Sequence, residues 1–155
     1  MQLTLYTDYS LRVLIYLGAN PERLVTIGEI ATSYGISRNH LVKVVHNLAT
    51  REFIRTTRGK GGGMQLRKAP GDINLGDLVR RTEGGFELVE CLNQITNTCP
   101  IAAVCGLKGF VSEALDAFIG VLDKYTLADV LHNRRQLSDI LRLHPAKPAR
   151  AARRP

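Results

Sequence analysis

The chain has 155 residues, of which 45% are hydrophobic, and a formal net charge of +7. This length and apolar content predict one domain, or one domain with an oligomerisation arm, large enough to bury a core. No stretch of about eighteen apolar residues occurs, which excludes a membrane-spanning helix. Because no secretory leader is present either, we expect a cytoplasmic protein.

The positive charge is concentrated in two segments. Residues 37–68 contain eight Lys or Arg and one acid, and residues 145–155 add four basic residues and no acid. This distribution indicates a surface for a polyanion, with nucleic acid as the first candidate and a merely solvated basic face as the alternative. The last segment is rich in Pro, Ala, Lys and Arg and cannot bury enough surface to fold. We therefore predict a disordered basic tail.

Apolar spacing predicts three helices in the first third of the chain. The first runs over residues 4–20. Thr26 and Glu29 form a capping box that starts a second helix, and Gly35 ends it. Ser37 can cap the third helix. Two short helices joined by a tight, glycine-containing turn are typical of the helix-turn-helix motif.

The outward face of the third helix carries hydrogen-bonding and cationic groups without an acid, which favours a recognition helix in the DNA major groove. Two β-like runs follow, over residues 52–58 and 64–67, and their glycine-rich connection predicts a hairpin wing that contacts phosphate. The connection lacks the pattern of a nucleotide-binding loop. The predicted DNA-binding residues are Thr26, Ser37, Arg38, Asn39, His40, Lys43, Arg58, Lys60 and Gly62.

All three cysteines of the chain lie within fifteen residues, as Cys91, Cys99 and Cys105. Thiolates are soft ligands that favour zinc, copper(I) and iron-sulfur clusters, and three of them leave a fourth position open. Ordinary half-buried thiols and a structural zinc are alternatives, although zinc sites usually have two short cysteine pairs or a nearby histidine. A redox enzyme is a further alternative, but the chain has no Cys-x-x-Cys and no cofactor fingerprint. We therefore expect no enzymatic activity.

Asn74 is predicted to cap a helix over residues 75–82, and Thr126 begins another helix near the end. Between them, residues 107–122 carry an apolar stripe that is wide for a single packing face. A small winged helix has little surface to cover this stripe, so a second copy of the same helix is the natural partner. The predicted dimerisation residues are Phe110, Leu115, Phe118 and Leu122.

Several short motifs together point to a known family. They are Thr7-Asp8-Tyr9 with Leu11-Arg12, Ser37-Arg38-Asn39-His40 with Val42-Lys43, Arg58-Gly59-Lys60 with Gly62-Gly63, and Tyr125-Thr126-Leu127-Ala128-Asp129. Through them, residues 1 to about 143 resemble the iron-sulfur winged-helix transcriptional regulators of bacteria, and most of all the branch that senses nitric oxide. The implied fold is mainly α with a small β-hairpin wing: a winged helix-turn-helix plus a long dimerisation helix.

The resemblance implies that Cys91, Cys99 and Cys105 bind an iron-sulfur cluster, with [4Fe-4S] preferred over [2Fe-2S]. It also implies that Asp8 of the partner subunit completes the cluster, whereas the position alone would make Asp8 a helix-terminus charge. The implied protein is a homodimeric repressor that binds double-stranded DNA at an inverted-repeat operator. Nitric oxide would release genes of nitric oxide detoxification.

The seven residues between Cys91 and Cys99 form a longer spacer than we expect for the nitric-oxide-sensing branch, and they match the rhizobial iron regulator of the family better. An iron- or redox-responsive regulator of the same family is therefore the alternative. The predicted organisation is a winged helix-turn-helix domain (1–84), an iron-sulfur cluster loop (85–106), dimerisation helices (107–144) and the basic tail (145–155).

Overall fold

The computed structural model describes residues 2–143 of the chain, so the predicted tail at 145–155 lies outside the described residues. The secondary structure of this part of the chain is helical except for one β-hairpin. The α-helices are α1 (Leu5–Ala19), α2 (Ile27–Tyr34), α3 (Arg38–Thr50), α4 (Leu75–Thr82), α5 (Gly106–Leu122), α6 (Leu127–Val130) and α7 (Arg134–Leu143). The strands are β1 (Ile54–Thr57) and β2 (Gly63–Leu66), and short 3-10 turns occupy Pro70–Asp72 and Glu90–Leu92. This confirms the predicted fold class.

Local capping explains where the first helices begin and end. The Thr4 hydroxyl accepts from the Thr7 amide at 3.2 Å and starts α1. The capping box of Thr26 and Glu29 is present at the start of α2, and Gly35 ends that helix in the left-handed region at φ 65°. Ser37 occupies the N-cap position of α3, but its side chain makes no capping hydrogen bond, so that part of the prediction is wrong. The Ser37 carbonyl instead accepts from the Leu41 amide at 3.2 Å.

The hairpin pairs β1 with β2 in antiparallel register, from Ile54 opposite Leu66 to Thr57 opposite Gly63. A third segment joins it. The Val25 amide donates to the Met64 carbonyl at 2.9 Å, and the Met64 amide donates to the Val25 carbonyl at 2.8 Å. This bridge attaches the wing to the residues that lead directly into α2.

The core lies where α1, α2, α3, the hairpin and α4 meet. Its completely buried side chains include Val13, Leu14, Leu17, Ile30, Leu41, Leu48, Phe53, Ile54, Met64, Ile73, Leu78 and Leu127. Deleting one such side chain typically costs about 2–5 kcal/mol, because the transfer energy is lost and a cavity is left. The core therefore fixes the orientation of α3 and the wing.

The last helices return to this core. Helix α7 packs against α1 and α2, and Leu141 is buried in the same cluster. Leu131 lies so close to Gly18 that an added Cβ would be 2.4 Å from the Leu131 Cδ1 atom. Although α6 and α7 fall within the predicted dimerisation segment, they therefore pack with the first 84 residues. Across residues 2–143, the helices are too short or too polar to cross a membrane.

Candidate nucleic-acid interface and cysteine segment

The predicted reading face of α3 is open to solvent. Arg38, Asn39, His40 and Lys43 are all exposed. Within the described part of the chain, Arg38, Asn39 and Lys43 form no side-chain hydrogen bond or salt bridge with other residues. Their donors are therefore available for base edges and phosphate oxygens, which is the requirement for a recognition helix.

One cleft of about 490 Å³ brings three of the predicted elements together. Arg38 contributes from the start of α3, Thr26 from the start of α2, and Gly62 from the wing. The Thr26 hydroxyl is occupied by the capping box, where it accepts from the Glu29 amide at 3.2 Å and donates to the Glu29 carboxylate at 3.0 Å. At the start of α2, beside α3, the capping box therefore already satisfies the helix N-terminus.

Glu29 has an electrostatic role in that helix start. Partial burial alone would raise the pKa of Glu29, but hydrogen bonds from Thr26 and Arg23 lower it overall. The Arg23 guanidinium lies 2.5 Å from the Glu29 carboxylate. The carboxylate therefore stays ionised near neutral pH, where it satisfies the helix N-terminus.

The wing tip depends on glycines for two different reasons, a left-handed backbone at Gly59 and Gly61 and close backbone packing at Gly62. Gly59 and Gly61 have φ values of 99° and 80°, and Lys60 between them is exposed. A Cβ at Gly62 would lie 2.3 Å from the Thr57 carbonyl oxygen. Only glycine fits at position 62 for this steric reason, while a DNA contact of Gly62 stays a prediction. Arg58 and Lys60 project from this tip as exposed cations.

His40 also connects the recognition helix with α1. Its ring stacks on Tyr9, with ring centroids 6.3 Å apart and an interplanar angle of 29°. Asp8, the neighbour of Tyr9, is held by Arg12 through contacts of 2.8 and 3.1 Å. The Arg12 guanidinium lies over the rings of Tyr9 and Tyr34 at 6.0 and 5.7 Å from their centroids. Asp8 is thus placed one residue from a side chain that contacts α3.

The Tyr34 side chain, which lies beneath Arg12, is a neutral phenol. Burial raises the pKa of Tyr34 to about 12, and the phenol beneath Arg12 is neutral at physiological pH, as it already would be at its ordinary pKa of about 10. The start of α1 is also tied to α4, because the buried Thr7 hydroxyl donates to the Thr82 hydroxyl at 3.0 Å. The Thr4 amide donates to the Glu83 carboxylate at 2.9 Å. Helix α1 therefore contacts both the reading helix and the segment that leads to the cysteines.

The three cysteines are free and half-buried. Cys91 lies in the short 3-10 turn, Cys99 lies in an irregular stretch, and Cys105 is the N-cap residue of α5. Within residues 2–143, one protomer does not bring three Cys, His, Asp or Glu side chains into a metal-holding group. The donor set itself fits an iron-sulfur cluster or another thiophilic metal centre, because it consists of three unpaired thiols on one segment.

Helix α5 presents two different apolar faces. One face is exposed and repeats at heptad-like spacing through Leu107, Phe110, Ala114, Ala117 and Val121. We call these five residues the α5 stripe. Phe110 is 70% exposed. The other three predicted dimerisation residues, Leu115, Phe118 and Leu122, are half-buried on the adjacent side of the helix.

The environment of Leu115 and Phe118 explains this division. Both line a cleft of about 530 Å³ together with Leu3 and Phe86 of the same chain. Ile119, on the same face, is buried. The wide apolar pattern of the sequence therefore consists of two adjacent faces of α5. One face contacts other residues of the same chain, and the other is exposed.

A junction that the sequence pattern did not predict attaches α5 to the core. Arg80 forms a two-pronged salt bridge with Asp123, with both contacts at 2.6 Å. This bridge holds the pKa of the Asp123 carboxyl below its usual value. The Asn74 side chain donates to the Asp123 carbonyl at 2.7 Å and also caps α4. The charges alone could have suggested the pair, but their separation of 43 residues gave no local signal.

The family model that describes the Rrf2 family as iron-dependent transcriptional regulators matches residues 3–133. The chain belongs to the Rrf2 family. It is a DNA-binding transcriptional regulator with a winged-helix fold, and it is not an enzyme. The predicted family is thereby confirmed.

Similar proteins match over nearly the whole chain. The HTH-type transcriptional regulator NsrR of Halalkalibacterium halodurans is 50% identical over 146 residues, or 94% of this chain and 100% of that protein. The regulator of the same name from Bacillus subtilis is 49% identical, over 92% of this chain and 99% of that protein.

Solved structures show the same fold. The oxidised form of Staphylococcus aureus CymR superposes with a TM-score of 0.68 at 27% identity, over 85% of this chain and 97% of that chain. The IscR of T. potens gives a TM-score of 0.69 at 24% identity, over 86% of this chain and 88% of that chain. The second likeness concerns the fold alone.

Proposed function

We propose that the chain is a homodimeric repressor that binds an iron-sulfur cluster through Cys91, Cys99 and Cys105 and derepresses nitric oxide detoxification genes when nitric oxide is present. The observation that carries this proposal is the segment of three free, half-buried thiols. It occurs in a chain about half identical, nearly end to end, to regulators that carry the name NsrR. The sequence resemblance to the nitric-oxide-sensing branch supplies the signal.

The proposed ligands differ in how firmly they would be held. The three thiolates are soft ligands suited to iron, and Asp8 of the partner subunit would add a harder oxygen ligand. When bound, such a cluster supplies iron sites at which a small gas can react. Asp8 pairs with Arg12 within its own protomer, so ligation would exchange one partner for another. We favour [4Fe-4S] over [2Fe-2S] on the resemblance.

The α5 stripe supports the proposed homodimer. It is an uninterrupted row of exposed apolar side chains on the longest helix of the described chain. Pairing this row with the same row of a second protomer would remove both rows from water and place the two recognition helices in a symmetric arrangement. A two-fold dimer matches an inverted-repeat operator, because the half-site spacing follows from the distance between the two recognition helices.

The contacts of α1 offer a route from Asp8 to the DNA. Asp8 lies beside Tyr9, which stacks on His40 of the recognition helix, and Thr7 is bonded to Thr82 at the end of α4. An exchange of the Asp8–Arg12 pair for ligation would therefore change the position of α1 and, through the stacking of Tyr9 on His40, that of α3. This supports a mechanism in which loss of ligation alters the spacing or tilt of the recognition helices.

The deciding experiment is anaerobic purification followed by absorption spectroscopy and titration with nitric oxide. The expected result is a brown protein with visible thiolate-to-iron absorption that bleaches with nitric oxide. In parallel, retention of an operator fragment in a gel should fall over the same titration, at moderate salt and against nonspecific competitor. A colourless protein that contains zinc would contradict the proposal.

The seven-residue spacer favours a second candidate, an iron- or redox-responsive regulator with the same ligands. Operator retention would separate the two. If iron chelation or mild oxidation releases the DNA while stoichiometric nitric oxide does not, the second candidate is correct. The proposed DNA contacts, dimer and cysteine ligands are common to both.

A further inference from the structure

The spacer between Cys91 and Cys99 is closed by one carboxylate. Glu90 Oε1 accepts a hydrogen bond from the Thr98 amide at 2.7 Å and a second from the Thr98 hydroxyl at 2.6 Å. Glu90 directly precedes Cys91, and Thr98 directly precedes Cys99. The contact therefore joins the two ends of the spacer at the positions next to the thiols.

The interior of the spacer is ordered by two asparagines. Asn93 Oδ1 accepts from the amides of Ile95 and Thr96 at 2.9 and 3.1 Å. Asn97 Oδ1 accepts from the Cys99 amide at 3.1 Å. Ile95, at the tip, is 95% exposed, so apolar burial does not anchor this tip. Polar contacts, with Glu90 at the base, therefore determine the shape of the spacer.

We propose that Glu90 is a positioning residue that holds Cys91 and Cys99 at a fixed separation before a cofactor arrives. This inference rests on the proposed cluster-binding function. A seven-residue loop loses conformational freedom when both of its ends become ligands. The Glu90 clamp imposes that loss when the chain folds, so less remains to be lost when the cofactor binds. A longer first spacer has more freedom to lose and a greater need for such a clamp.

If Glu90 acts as a clamp, the variants should differ according to how many of the Glu90–Thr98 hydrogen bonds each one retains. Glu90→Ala removes both hydrogen bonds, and Thr98→Val removes only the one from the hydroxyl. Glu90→Gln keeps a side-chain oxygen that can accept both bonds, so it should behave like the unmodified protein. Glu113→Ala is the matched control, because it removes a carboxylate from an exposed position on α5 outside the spacer.

The first measurement is amide hydrogen exchange in the reduced, full-length, metal-free protein. Glu90→Ala should accelerate exchange at Thr98 and through the spacer, whereas Glu90→Gln and Glu113→Ala should not. The second measurement follows the visible absorption of anaerobically reconstituted protein during challenge with an iron chelator. Glu90→Ala should lose its absorption roughly three- to tenfold faster, the effect expected from one or two exposed hydrogen bonds. Thr98→Val should lie between.

Equal absorption decay for Glu90→Ala and the unmodified protein would overturn the inference while the cluster proposal stands. Equal exchange in the metal-free proteins would overturn it too, because the clamp would then not order the spacer. If the unmodified protein acquires no chromophore on reconstitution, the proposed function itself fails and the inference with it. Restoration of slow decay by Glu90→Gln would show that the accepting oxygen, rather than the charge, is responsible.

Discussion

At the scale of single residues, we propose two different tasks for the basic side chains of the candidate interface. Arg38 lies at the start of α3, the proposed recognition helix, where side chains would reach base edges, and Lys60 lies at the tip of the wing, where we expect contact with phosphate. Both are exposed. Substitution of Arg38 should therefore change the sequence preference of DNA binding, whereas substitution of Lys60 should change the affinity for any DNA.

Arg38→Ala is expected to weaken binding to the specific operator by about 1–3 kcal/mol and to relax sequence preference, because a good base contact has that value. Lys60→Ala should instead weaken specific and random DNA alike and flatten the salt dependence by about one counterion. Fluorescence anisotropy on both DNAs across a salt series would measure this. Equal losses on specific and random DNA for Arg38→Ala would show that α3 does not read bases through this residue.

The proposed role of Asp8 as the fourth ligand of the cluster can be tested by substitution. Asp8→Ala should still form the chromophore, because the three thiols remain, but the chromophore should differ in stability or in its reaction with nitric oxide. Asp8→Cys should give a more persistent centre, since thiolate is the softer ligand. Absorption spectra and nitric oxide titrations of the three proteins would test this. An Asp8→Ala protein that matches the unmodified one in spectrum, response and operator affinity would return Asp8 to a helix-terminus charge paired with Arg12.

At the scale of elements, the wing depends on close packing of its backbone. Gly62→Ala would place a Cβ 2.3 Å from the Thr57 carbonyl oxygen, so the turn must open. We expect a loss of stability of about 1–3 kcal/mol, as for other overpacking substitutions, together with weaker DNA binding. Thermal unfolding followed by circular dichroism would measure the first effect. Gly71→Ala is the matched control, because position 71 has open space and no positive φ.

The elements that sequence patterns predicted well are those decided by neighbours in the chain. The α1 boundaries, the capping box at Thr26, the Gly35 stop and the hairpin all follow from interactions within a few residues. The bridge between Val25 and Met64 and the Arg80–Asp123 junction join distant segments and have no local signature. For the site, composition and spacing predicted the candidate side chains, which stay predictions, whereas the Glu90–Thr98 hydrogen bonds became visible only once the spacer was folded.

The predicted dimer surface also depends on contacts between distant segments. Apolar periodicity identified α5 as amphipathic on a wide arc, yet it could not tell which part of the arc faces the chain's own core. The structure assigns Phe118 to the cleft with Leu3 and Phe86, and it leaves Phe110 on the open stripe. That choice depends on where residues 83–88 pass over the helix, which no short window of sequence contains.

At the scale of the whole molecule, the junction at Asp123 attaches α5, the proposed dimerisation helix, to α4 of the winged-helix fold. The Arg80–Asp123 salt bridge and the Asn74 hydrogen bond fix the C-terminal end of α5 against α4. The Leu127 amide also donates to the Ile73 carbonyl at 2.8 Å just beyond that end. If two copies pair through the α5 stripe, these contacts transmit the dimer geometry to α3. The spacing of the recognition helices would then follow from the pairing of α5.

This view predicts different outcomes for aspartate on the two faces of α5. Phe110→Asp should yield a folded monomer, because pairing the stripe would bury an unpaired carboxylate at the two-fold contact at a cost of at least about 2 kcal/mol. Phe118→Asp should instead lower the melting temperature of the protomer, since that side chain is half-buried against its own chain. Sedimentation velocity and thermal unfolding would separate the two effects.

Ile140→Asp is the matched control for Phe110→Asp, because it places the same charge at an exposed apolar position on α7, away from the stripe. It should sediment as a dimer. Loss of the dimer should also weaken operator binding, since each half-site would then be bound independently. A Phe110→Asp protein that remains dimeric, or an unmodified protein that is monomeric at micromolar concentration, would contradict pairing through α5. The half-site spacing would then have to be set by another surface.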